Sequence, residues 1–467
     1  MMTAPDGAPP GVAPRQAVAS PAASAARPPL AGVRVLDFTH VLAGPFTTRL
    51  LADFGAEVLR VESRKHPDHP WKCSFDDGRI DRPAAYLITN RNKRSIAIDL
   101  KHPRGGELAV QLAGAADVVI ENFSAGVMER LGLGAERLCA ANPRLIYVSM
   151  SGYGHSGPRR DWTSMNSNLQ GYSGLLLANG AADDPPLPIA NSWNDYIAAL
   201  HACLAILQAL AERATTGEGR YLDLSQFECS VASLGGLLLA SAVTGCAPPR
   251  LGNRSTGAAP QGCYRCADAA PSADSGAERT DGAAGDRGGE RSDGAGAGLG
   301  GGRTDGASRG QAATDEWCAI SVQDDAQWQA LATALGQPAL ATDPRLAGLL
   351  GRLRHHDEID RHIEAWTRAR PAAEVERRLQ AAGVPAARVR RIQTLVDDPD
   401  GATVFRRMDE PRVGSILATM LPFDTDATLP SPQAAPCLGA DSEDALRDWL
   451  ALPPEAIDEL VEQGVLI

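Results

Sequence analysis

The chain has 467 residues, 44% of them hydrophobic and 22% charged, an ordinary balance for a globular protein with room for two cores. A formal net charge of −12 excludes a broad basic field for nucleic acid or anionic lipid and leaves room only for a local basic pocket. Nine cysteines run from Cys73 to Cys437 without the dense spacing of a disulfide scaffold, which predicts a reducing, cytoplasmic setting.

Residues 1–29 have no apolar leader segment and read as a disordered tail, and no later run reads as long and apolar enough to cross a bilayer. From Val33 onward, short β-branched runs alternate with helical stretches: VRVLDF (33–38), EVLRVE (57–62), SIAIDL (95–100), DVVIEN (117–122) and LIYVSM (145–150). Strand, helix, strand at this spacing predicts a parallel sheet with helices on its faces, hence an α/β domain over residues 30–245. In such sheets ligands sit beyond the carboxyl ends of the strands, which directs attention to the loops after Phe38, Leu100, Asn122 and Met150.

In the first of these loops His40, Val41, Leu42 and Ala43 lead into a helix that carries Pro45 in its first turn, where free backbone N–H groups can hold an anion. Lys93 and Arg94 precede one strand and Lys101 follows it, a cluster that reads as a solvated face unless a phosphate ligand calls for it. Asn122 and Phe123 mark a polar strand end with Arg130 on the next helix. The histidines of HPDHP, His66 and His69, read as loop residues, because prolines forbid the helical metalloprotease spacing.

The stretch ANSWNDYIAALHACLAILQALAE puts one acid, Asp195, at the head of an apolar helix, where it is either a cap or a reactive carboxylate. Next come a sixth strand, in GEGRYLDLSQFE, and an apolar helix running to about Val243. A smaller α+β domain is predicted over 246–400, with strands in GCYRCAD and EWCAISV and a low-complexity insert at 268–313. The G-x-G-x-x-G at Gly296, Gly298 and Gly301 lies inside that insert without a strand before it or a helix after it, and Cys263 and Cys266 have no second ligand pair nearby. No metal site is predicted. Residues 401–467, closing with a helix in EDALRDWLALPPEAIDELVEQGVLI, are expected to return to the first domain.

Together LDFTHVLAGP, LLADFGAEVLRVE, NKRSIAIDL, ADVVIENF, NPRLIYVSMSGYG, TTGEGRYLDLS and LGADSEDAL resemble the class III CoA-transferase family, which includes formyl-CoA transferases and a racemase side branch. The resemblance runs from about Leu30 to Ile467 apart from the insert. It implies a Rossmann-like large domain, a small domain and an interlocked homodimer. It implies an acyl-CoA and a carboxylic acid as substrates, with no permanently bound cofactor.

By the same resemblance Asp195 is the nucleophile, passing through a mixed anhydride and an aspartyl-CoA thioester, and its carboxylate is expected to be held ionised by the helix terminus. CoA contacts fall on His40, Val41, Ala43, Ile98, Lys101, Asn122, Phe123 and Arg130. The chain departs from the family in three places. The proton-carrying Gly-His-Asp triplet of the racemase branch is here Ser164, Met165, Asn166, and the Gln of the formyl-CoA branch is here Leu42. A glycine-rich lid is replaced by STGAAPQG at 255–262, with only Gly257 and Gly262. Leu42, Met165, Asn166, Gly257 and Gly262 are therefore expected to shape substrate choice. An acyl-CoA racemase or isomerase and a non-catalytic CoA-binding partner subunit are the alternative readings.

Overall fold

The computed structural model describes residues 27–68, 84–268, 315–395, 404–423, 425 and 427–467. The expected disordered tail falls outside these except for its last residues, and of the insert only Asp268 is described. The chain forms two units, one of Met1–Asn179, Pro186–Pro248 and Val396–Ile467, the other of Gly180–Pro185 and Pro249–Leu395.

The first unit is built on strands β1 (Arg34–Asp37), β2 (Glu57–Glu62), β3 (Arg94–Ala97), β4 (Val118–Glu121), β5 (Ile146–Ser151) and β6 (Arg220–Ser225). They form one parallel sheet in the order β3-β2-β1-β4-β5-β6, the doubly wound arrangement, with its switch point between β1 and β4. Alternate residues face opposite sides and both faces are covered, so the strands carry apolar residues on both, with the charged residues Asp37, Arg60, Glu62 and Glu121 buried among them. Leu36, Leu59, Ile96 and Val119 pack with Leu108 and Leu112, whereas Val35, Val58, Ile120 and Val148 pack with Leu51 and Ile206.

The helix Trp193–Thr216 is long and apolar enough to cross a membrane, contrary to the expectation from the sequence. Its small residues Ala198, Ala199, Ala202 and Ala209, with Ile206, are buried in the core beside Leu51 and Met150. Two further expectations are corrected. The apolar stretch after β6 is two helices, Gln226–Ala232 and Gly235–Thr244, bent by 66° at a break just before the paired glycines Gly235 and Gly236. The closing helix is also two, Ser442–Leu450 and Pro454–Glu462, because Ala451 turns left-handed at φ 53° and Pro453 and Pro454 lack the N–H needed to continue.

That C-terminal tail covers the outer edge of β3. The Asp441 carboxylate accepts from the Ser95 N–H at 2.8 Å, Ser442 Oγ accepts from the Ala97 N–H at 3.2 Å, and Leu466 bridges to Ile98. An edge strand is thereby denied to other chains.

The second unit has a three-stranded antiparallel sheet of β7 (Gln261–Arg265), β8 (Trp317–Ser321) and β9 (Ala386–Arg388). Helices Asp325–Ala334, His356–Thr367 and Ala372–Ala381 supply Trp328, Ile359, Trp366 and Val375 to a core shared with Tyr264 and Ile320.

Asp441→Ala removes the partner of a part-buried strand N–H and is expected to lower unfolding free energy by about 1–3 kcal/mol. The control Asp444→Ala, at an exposed pair with Arg447, is expected to change it by less than about 0.5 kcal/mol. Urea denaturation of both variants measures the difference.

Candidate active site

The floor of the site is set where β1 ends. Asp37 is fully buried; its Oδ1 accepts from the Thr39 N–H at 2.8 Å and the Thr39 hydroxyl at 2.6 Å. Its Oδ2 accepts from the Thr48 hydroxyl at 2.6 Å and from Lys93 Nζ at 3.0 Å. Lys93 also donates to Asn90 Oδ1 at 2.8 Å and the Pro45 carbonyl at 3.0 Å. Burial drives the Lys93 ammonium down to about 8 against the pull of Asp37. Burial pulls Asp37 upward, but Lys93, Arg60 and two threonine hydroxyls together hold it below the ordinary carboxylate value. Lys93 is thus a structural counter-ion in the interior, not part of a solvated face, whereas Lys101 is exposed.

Above this floor lies the switch point. The His40 N–H donates to Asn122 Oδ1 and Asn122 Nδ2 donates to the His40 carbonyl, both at 2.8 Å, so one side-chain amide mimics a strand partner and joins the loops after β1 and β4. Val41 is left-handed at φ 70°, a costly conformation for a β-branched residue. Its N–H donates to Asp68 Oδ1 at 2.8 Å, and Asp68 is anchored by Arg60 at 2.6 Å. Nothing in the sequence pattern marks Asp68 beyond its place between the prolines of HPDHP. Burial lowers the His40 imidazole below its ordinary value, with Asp68 opposing, and its ring centroid lies 5.2 Å from that of Phe123.

Two cavities flank this loop. The larger, of about 480 Å³, takes in His40, Ile98, Lys101, Phe123 and Arg130, together with His66. Lys101 and Arg130 are exposed there, over an interior that includes Phe38, Ile98 and Leu100. The helix Pro103–Gly114 after Lys101 sits so close that a Cβ on Gly105 would strike the Asp99 carbonyl, which fixes the turn carrying Lys101.

The smaller cavity, of about 270 Å³, brings together Val41, Leu42, Ala43, Asn122, Met165, Asn166 and Asp195, again with Phe123. Ser151, Gly152, Arg160 and Gln226 join them without having been marked by the sequence pattern. Gly257 and Gly262 belong to the second unit, the former exposed and the latter on β7.

Asp195 is the third residue of its helix, after Asn191 and Ser192 have both turned left-handed at φ 60° and 50°. Its own N–H donates to the Ser192 carbonyl at 2.9 Å, and Ser192, not Asp195, is the cap residue. Burial raises the Asp195 carboxyl to about 6, only partly offset by its own backbone N–H. A group with a value near 6 is still largely ionised at neutral pH, as the sequence suggested, but the helix terminus does not set that value; desolvation outweighs it. Asn194 beside it is fully buried, and neither of its amide atoms has a hydrogen-bond partner among the described residues.

A sequence profile of CoA-transferase family III matches residues 30–278 and 300–442. The chain is 31% identical over 450 residues to succinyl-CoA–D-citramalate CoA-transferase of Chloroflexus aurantiacus, covering 95% of this chain and 100% of that one. It is 30% identical over 397 residues to succinate–glutarate CoA-transferase of Agrobacterium fabrum, covering 84% and 88%. A CaiB/BaiF family protein from Brucella suis, known from a crystal structure, superposes with a TM-score of 0.73 at 28% identity, covering 90% of this chain and 99% of that one. The chain belongs to CoA-transferase family III and is an acyl-CoA:carboxylate CoA-transferase.

Proposed function

We propose that Asp195 is the covalent nucleophile and that the larger cavity holds the CoA portion of the thioester. Phe123 carries this reading, because it walls both cavities: a nucleotide gripped at Lys101 and Arg130 can pass its acyl end over His40 and Phe123 towards Asp195. Lys101 and Arg130 meet the phosphates, while Val41, Ala43, Ile98 and Asn122 shape the path between. The substrate is the CoA thioester itself, with no resident cofactor.

In the proposed sequence an Asp195 carboxylate oxygen attacks the donor thioester carbonyl and CoA thiolate leaves, forming a mixed anhydride. The thiolate attacks the aspartyl carbonyl, releasing the donor acid and leaving an aspartyl-CoA thioester. The acceptor carboxylate then displaces thiolate to form a second anhydride, and thiolate attack on its acceptor carbonyl frees Asp195. A carboxyl with a value near 6 is about nine-tenths ionised at pH 7 and is more basic than an ordinary aspartate, which suits a nucleophile. Met165 lines the cavity where a racemase would need a proton carrier, and its thioether carries none.

By likeness to the citramalate and glutarate relatives, the acceptor is a short dicarboxylic acid. The working form is a cytoplasmic homodimer. Leu200, Leu204 and Leu207 form an exposed apolar face on helix Trp193–Thr216, and helix Gly235–Thr244 buries none of its residues among the described residues.

Asp195→Ala is expected to abolish transfer while leaving CoA affinity within about tenfold, since the carboxylate acts in the covalent steps. Mass spectrometry after acyl-CoA and hydroxylamine should show a modified Asp195 in the wild type only; retained turnover in the variant would refute the assignment. Arg130→Ala should weaken CoA by about 1.5–3 kcal/mol, and a pantetheine thioester much less. Equal losses in binding assays with both ligands would place Arg130 away from the phosphates.

The raised Asp195 value also sets a pH dependence. Below about pH 6 the nucleophile is protonated, so kcat/KM for the donor should fall about tenfold per unit. Because the folded state holds this proton more tightly than the unfolded chain, the stabilisation it provides is complete below about pH 4 and lost as pH rises through 6. Asp195→Asn should therefore raise unfolding free energy by about 1–3 kcal/mol at pH 8 and by far less at pH 4.5, as read from urea titrations.

A further inference from the structure

Among the described residues that line the smaller cavity, Asp195 is the one anion and Arg160 the one cation. Arg160 stands at the start of the segment Arg160–Asn166 that forms one wall, after the turn that follows β5. Its side chain is 55% exposed, and among the described residues its one ion pair runs from Nε to the neighbouring Asp161 at 3.5 Å. Asp161 is itself 82% exposed, so this pair is held weakly and leaves the guanidinium available to a ligand. Its neighbour Arg159 is engaged differently, lying over the rings of Tyr172 at 4.8 Å and Trp162 at 5.3 Å.

The opposite requirement comes from the cavity floor. Ser151 also lines it, and its buried hydroxyl has no hydrogen-bond partner among the described residues. A buried hydroxyl left unpaired is costly unless a ligand oxygen reaches it. Leu42, Ala43, Val41 and Leu169 supply an apolar flank beside these polar groups. The cavity thus offers a cation, a hydroxyl and an apolar surface around the reactive carboxylate, which fits a short acid with a second negative charge.

We infer that Arg160 is the specificity-determining residue that binds the distal carboxylate of the dicarboxylic acceptor, leaving the proximal carboxylate to face Asp195. This rests on the transferase reading above. An arginine fork pairs with a carboxylate through two parallel hydrogen bonds, fixing direction as well as charge. A monocarboxylic acid of the same length leaves that fork unfilled. Arg160 therefore separates dicarboxylates from fatty acids, while acylation chemistry stays with Asp195.

The test measures kcat/KM for glutarate and for valerate as acceptors in the wild type, Arg160→Gln and Arg160→Lys, with saturating acyl-CoA donor. Glutarate should be preferred by the wild type. In Arg160→Gln its kcat/KM should fall about 10- to 100-fold, chiefly through KM, with valerate unchanged within about twofold; Arg160→Lys should recover part of the loss. An equal fall for both acids, no fall for glutarate, or a wild type indifferent between them overturns the assignment of Arg160 alone. Transfer to neither acid by the wild type overturns the acceptor class on which the assignment rests.

Discussion

Everything at the mouth of the sheet hangs on the buried carboxylate of Asp37. It closes the last residue of β1 onto Thr39 and Thr48, and through Lys93 it ties the start of β3 to Asn90 and the Pro45 carbonyl. Removing one charge would strand the other in the interior, a loss on the order of 3–5 kcal/mol, which is far more than any exposed pair supplies. The direction in which the chain leaves β1 is therefore fixed before any ligand arrives. That direction places His40 and Val41 at the switch point, where Asn122 and Asp68 hold their peptide groups.

On the proposed reading, the two cavities divide the labour that a transferase requires. One has a largely apolar interior with Lys101 and Arg130 exposed on it, which on that reading suits a nucleotide thioester whose charge lies at one end. The other is smaller and holds Asp195, the proposed nucleophile. Asp195 combines a desolvated position with the first turn of a long helix, and desolvation prevails. The unpaired amide of Asn194 belongs to the same buried turn, which two successive left-handed residues force into place.

Much of this was legible in the sequence because the local patterns and the tertiary fold agree. The β-branched run at 57–62 became β2 with its ends unchanged, and those at 117–122 and 145–150 became β4 and β5 with ends shifted by one residue, since valine and isoleucine suit the buried strands of a parallel sheet. The loop residues His40 to Ala43, Asn122 and Phe123 followed from the position of strand ends. What the sequence could not disclose depends on long-range partners. Lys93 reads as a surface charge until Asp37 is seen across 56 residues, and Asp68 has no signature apart from two neighbouring prolines. The same applies to Arg160, one of two adjacent arginines whose different surroundings exist only in three dimensions. The breaks at Gly235 and at Pro453 were legible in principle, and the apolar pattern running through them concealed them.

Val41 carries a consequence for anyone altering this protein. A valine forced into the left-handed region costs on the order of 1–2 kcal/mol, and glycine at the same position would escape that penalty. Val41→Gly would set that relief against about 0.5–1 kcal/mol of extra chain entropy lost on folding, would free the backbone between His40 and Leu42 and would strip a side chain from the wall beside Asp195. The two backbone terms largely offset one another, so what the valine supplies at this position is a stiff loop and a wall side chain rather than added stability.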